Sequence, residues 1–112
     1  MKPPIEFADF EKIHFAMGTI VHAEMNEKAK KPAYILHVDF GEHGIKTSSA
    51  QLTANYSIAD LIGKQIVGVL NFPVKSIAGV KSEVLILGAL STEKGVVLLQ
   101  PSLSVENGSS IG

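Results

Sequence analysis

Ser57-Ile58-Ala59-Asp60-Leu61-Ile62-Gly63 is the stretch on which the fold turns. Serine and aspartate three apart form a variant of the capping box, each side chain serving the other's backbone amide, so a short helix starts after Ser57. Gly63 bounds it. Directly after it, Gln65 to Leu70 is rich in β-branched residues and reads as a strand. Before it, Ile45 to Leu52 carries Lys46, Thr47, Ser48, Ser49 and Gln51, unusually polar for a strand. One helix therefore separates the third and fourth strands of a chain otherwise patterned as β.

Working outward, Tyr34 to Phe40 alternates cleanly. Tyr34, Leu36, Val38 and Phe40 take one side, and Ile35, His37 and Asp39 the other. Gly41-Glu42-His43-Gly44 joins this strand to Ile45–Leu52 as a hairpin. Met17 to Glu24 is the first strand, and Met25 to Pro32 a polar connection with Lys28, Lys30 and Lys31. Phe7, Phe10 and Ile13 recur at helical spacing, so Asp9 to Ile13 fits a short N-terminal helix. Glu83 to Leu90 and Val96 to Gln100 pair across Ser91–Gly95. Pro101 ends that pairing, and Leu103 to Ile111 is an extended tail with a turn at Asn107-Gly108. The pattern is all-β with short helices: a five-stranded Greek-key barrel of the OB type, with an N-terminal helix and an extended C-terminal tail. An SH3-like barrel fits less well because of the mid-chain helix. No repeat or linker divides residues 1–112, which read as a single domain.

Composition narrows the function. The chain is 46% apolar with a mean hydropathy of +0.24, high for a small monomer, and several strands look apolar on both faces. A second copy is expected to cover part of the surface. The apolar run Val84 to Leu90 is far shorter than the roughly 20 residues of a membrane helix, so no membrane insertion is expected. Met1 to Glu6 has no apolar core of a signal peptide, and there is no cysteine. These features suit the cytoplasm and leave out disulfides and thiolate chemistry. Ten basic residues, every one a lysine, face eleven acidic ones. Without a single arginine, bidentate phosphate recognition has no agent, although a local lysine patch could hold phosphates as point charges.

No catalytic motif emerges. Ser48 and Ser49 lack a nucleophile elbow, and only His37 shares their sheet region. His14, His22, His37 and His43 lack the spacings of helical zinc sites, so no metal and no cofactor is expected. Gly79-Val80-Lys81-Ser82 and Gly63-Lys64-Gln65 both fail the phosphate-loop pattern. What stands out is Asn71-Phe72-Pro73-Val74-Lys75 with Ile77-Ala78-Gly79-Val80-Lys81-Ser82-Glu83, a loop between two apolar β-type runs. It reads as a binding surface displayed by a rigid sheet. Lys46, Lys75 and Lys81 flank the face on which OB barrels bind ligands. Phe72 and Tyr56 are the aromatic candidates for stacking, and Glu83 either accepts from a base or caps backbone amides.

Several blocks in order, among them Lys31-Pro32-Ala33-Tyr34, Val38-Asp39-Phe40-Gly41, Lys46-Thr47-Ser48-Ser49-Ala50-Gln51-Leu52, Val69-Leu70-Asn71-Phe72-Pro73 and Lys81-Ser82-Glu83-Val84-Leu85, resemble the tRNA-binding-domain family of OB folds. That family takes in domains like the C-terminal part of EMAP II, and the likeness is to its CsaA branch. The resemblance implies a non-catalytic homodimer that binds unfolded polypeptides or preproteins in chaperone fashion, or, as the alternative, tRNA. It implies Lys46, Ser48, Asn71, Phe72, Lys75, Lys81, Ser82 and Glu83 as ligand-face positions. Family members commonly carry an acidic residue and an arginine where this chain has His14 and Ala16, which favours polypeptide over tRNA.

Overall fold

The computed structural model describes residues 1–112. Its centre is a five-stranded antiparallel sheet that curls into a nearly closed barrel. Strand β1 (Phe15–Met25) pairs on one side with β2 (Tyr34–Asp39), which pairs in turn with β3 (Ile45–Ala50). On its other side β1 pairs with β4 (Gln65–Val69), and β4 with β7 (Leu85–Ile86). The order β3-β2-β1-β4-β7 is that of a Greek-key OB barrel. Closure comes where the Glu83 amide donates to the Thr47 carbonyl at 2.8 Å, joining the far edge of β3 to the chain entering β7.

The capping box forms as the sequence indicates. Ser57 N–H donates to Asp60 Oδ2 at 3.0 Å and Asp60 N–H to Ser57 Oγ at 3.2 Å. The helix it opens, α2 (Ile58–Leu61), lies between β3 and β4 and sends fully buried Leu61 into the barrel. Gly63 N–H then donates to the Ile20 carbonyl at 2.8 Å, fastening the helix end to β1. Alternation along β2 places Tyr34, Leu36 and Val38 inside, with fully buried Phe40 beyond its end. Room for the Phe40 ring exists because Gly18 and Gly68 face it. A Cβ on either would stand 2.7 Å from that ring.

Several boundaries move. The N-terminal helix α1 is Phe7–Glu11, two residues earlier than expected, because Glu6 and Asp9 cap it reciprocally. The run Glu83–Leu90 is not one strand. It breaks at Leu87 into β7 and β8 (Gly88–Ser91), and β8 turns away to pair with β9 (Gly95–Leu98). The Asn71–Glu83 loop contains an unforeseen ribbon, β5 (Lys75–Ile77) against β6 (Val80–Ser82). Its two-residue turn holds Ala78 at φ 48° and Gly79 at φ 79°. Both central residues of such a turn need positive φ, and alanine is a poor signal for it. The tail is extended and anchored: Ser110 bridges Ala16, and Gly108 N–H donates to the Met17 carbonyl at 2.7 Å.

Candidate functional site

The β5–β6 ribbon lies with β6 along β3 and its turn at Gly79 beside the Lys28 side chain, and side-chain hydrogen bonds fix both ends of its base. Asn71 fixes its start: Nδ2 donates to the Lys12 carbonyl at 2.7 Å, and Oδ1 accepts from His14 N–H at 2.9 Å. Glu83 fixes its end. Thr47 N–H donates to Glu83 Oε1 at 3.0 Å. Between ribbon and β3 lies an open groove of about 530 Å³. Phe72, Pro73, Val74 and Ile77 form one wall, Val84 and Leu85 the floor, and Ser48, Ser49, Ser82, Lys75 and Glu83 the polar margin.

The wall is exposed apolar surface. Phe72 is 57% exposed, Val74 61% and Ile77 38%. Val84, by contrast, is buried and belongs to the core. Strand β5 pairs only with β6, so its other edge keeps backbone donors and acceptors unpaired. A second depression beside the groove is lined by Thr47, Val74, Ser76, Lys81 and Glu83. The arrangement can take an extended chain: apolar contact from the wall, backbone pairing from an edge, and two lysine ammonium groups nearby.

Of the eight positions singled out in sequence, Ser48, Phe72, Lys75, Ser82 and Glu83 meet in the groove, and Lys81 lines the adjoining depression. Two do not join them. Asn71 spends its whole amide on residues 12–14. Lys46 sits opposite Val38, on the inward-facing register of β3, and lines neither depression. Tyr56 is no stacking platform, since its hydroxyl accepts from Leu98 N–H at 3.0 Å and its ring packs on the core. Ala16, where family members commonly carry arginine, lies inside the barrel. That residue is fully buried and bridged to Ser110, so the position presents nothing to a ligand. Val74 and Ile77, apolar residues of the loop expected to bind, join Phe72 on the wall, and Leu85 on the floor is an addition that the sequence did not single out.

Ser48 is 2% exposed and faces inward, whereas His37 lies on the outer face opposite Thr47 and against His22. Ser48 is therefore on the opposite face from His37, whereas Ser49 shares the outer face with His37 but makes no hydrogen bond to it.

Comparison with known proteins agrees with this fold. The family model described as a putative tRNA binding domain matches residues 15–110. The methionine–tRNA ligase of Methanococcoides burtonii is 35% identical over 110 residues, which are 98% of this chain but 16% of that enzyme. The chain thus spans about a sixth of the length of that relative. The crystal structure of chaperone CsaA from Bacillus anthracis str. Ames superposes with a TM-score of 0.93 at 49% identity, covering 98% of this chain and all of that one. The CsaA chaperone protein of Picrophilus torridus gives 0.92 at 45%, covering 97% of this chain and 100% of that one.

Proposed function

This chain belongs to the putative tRNA-binding domain family, and from that premise we propose that it is a non-catalytic binding protein of the CsaA type. As one domain it holds unfolded or export-bound polypeptide segments in the groove between β3 and the β5–β6 ribbon. The observation that carries this reading is the exposed wall of Phe72, Val74 and Ile77 beside an unpaired strand edge. Apolar contact contributes about 25 cal/mol per Å² before ordering costs, so one short segment binds weakly. A homodimer with two grooves raises the apparent affinity through effective concentration. Leu90 at 83% and Leu103 at 78% exposure, both away from the groove, support a covered face of that kind. The proposed setting is the cytoplasm, where such clients are made.

A second reading, binding of tRNA, rests on Lys75 and Lys81 standing exposed along the ribbon and on the family itself. It draws on phosphate contacts, and it needs no base reading from Glu83, whose Oε1 already accepts from Thr47. Light scattering during refolding of an aggregation-prone protein tests the first reading. Suppression at one dimer per client chain supports it, and unchanged aggregation at that ratio removes it.

A further inference from the structure

We propose that His22 and His37 form a cross-strand chelate for a borderline divalent cation such as Zn²⁺ or Ni²⁺ on the outer face of the β1–β2 ladder. Regular alternation along β1 would turn His22 to the inside, two residues after fully buried Ile20. A β-bulge between Ile20 and His22 inserts Val21 as an extra outward residue, so Ala23 goes inside and His22 goes out. The bulge thus sets His22 directly opposite His37. Bulges of this sort re-aim single side chains.

The two rings meet at a centroid separation of 5.3 Å with their planes 70° apart. Two imidazoles sharing one ion at about 2.1 Å from a nitrogen of each have centroids roughly 4.5–5.5 Å apart. The pair is therefore spaced for chelation before any ion arrives. No hydrogen bond within the chain engages either ring, and the nearest anion, Glu24 Oε1, stands 3.9 Å from His22 Nε2. That carboxylate adds negative charge beside the ion. No three such side chains converge as a complete ligand set, so water fills the remaining positions and the ion exchanges readily. Imidazole suits Zn²⁺ and Ni²⁺ over Mg²⁺ or Ca²⁺. Helical spacing rules miss this pair because its members lie on different strands.

His14 and His43 also meet, at 4.7 Å and so within the same range. No carboxylate stands within 4 Å of a nitrogen of either ring as Glu24 stands beside His22, which makes them the comparison pair. In untagged protein stripped with EDTA, proton NMR of the imidazole signals during addition of substoichiometric NiCl₂ reads the site directly. The His22 and His37 signals broaden first, and calorimetry with ZnCl₂ shows about tenfold or greater weakening in either His22→Gln or His37→Gln. His14→Gln leaves that affinity unchanged. The inference is overturned if His14 and His43 broaden first, if all four broaden together, or if neither ion binds. The NMR series needs no variant, so a substitution that perturbs folding does not blur the answer.

Discussion

Glu83 and Thr47 hold each other from both directions: the Thr47 amide donates to the Glu83 carboxylate at 3.0 Å, and the Glu83 amide donates to the Thr47 carbonyl at 2.8 Å. This reciprocal clasp closes the barrel and sets the foot of the ribbon that forms the groove wall. Hydrogen bonds to charged groups are worth about 1.5–3 kcal/mol. Glu83→Ala is expected to lower unfolding free energy by that amount in urea titration and to speed hydrogen exchange at the Thr47 amide. Glu83→Gln keeps an acceptor and should lose less.

Gly68 and Gly18 make space for Phe40, and Gly68 also borders Val84, whose side chain would lie 2.8 Å from an added Cβ. Overpacking of this kind costs about 1–3 kcal/mol. Gly68→Ala is therefore expected to lower the urea midpoint clearly, whereas Gly44→Ala, with open space around it, strains only its own backbone at φ 86°.

The Asp60 carboxyl is held below the ordinary carboxylate range, first by the Ser57 backbone N–H, then by the Ser57 hydroxyl, with the Lys64 charge assisting and slight desolvation opposing. A depressed folded-state value means that the unfolded chain binds the proton more readily. The stabilisation is thus complete above the unfolded value, about 3.9, and disappears as pH falls through the lower folded value. Asp60→Asn should be less stable than the parent near neutral pH, and the gap should narrow below about pH 4. Urea midpoints across that range check the direction.

Lys75 and Lys81 separate the two ligand readings. If tRNA binds, log affinity falls with log salt by roughly 0.7–0.9 per phosphate neutralised, and Lys75→Glu with Lys81→Glu removes most of the binding. Polypeptide binding should survive the same double substitution largely intact. Gel shift and anisotropy over a salt series distinguish these outcomes.

The barrel was legible because its signals are local. The Ser57–Asp60 box, the alternation from Tyr34 to Phe40 and the glycine-bounded turn at residues 41–44 each name their own structure. The ribbon was not, because Ala78-Gly79 is a weak turn signal and all three residues of β5 are exposed, leaving no alternation to read. The break at Leu87 was hidden by an unbroken apolar run, and only tertiary pairing shows that β8 leaves the barrel. For the groove, Phe72, Lys75, Ser82 and Glu83 could be placed from the loop's position after strand four. That Asn71 is a clamp and that Lys46 lies outside both depressions depends on partners more than 30 residues away in one case, and on strand register in the other.

Val74 offers the most direct test of the central claim, since it is 61% exposed on the groove wall and its replacement should leave the fold intact. Fluorescence anisotropy of a labelled, unfolded polypeptide would be measured against the parent protein and Val74→Asp, with circular dichroism confirming that both are folded. A polar charge on that wall should weaken binding by about tenfold or more, as the loss of roughly 1.4 kcal/mol of apolar contact requires. Equal affinity for the two folded proteins would contradict the account.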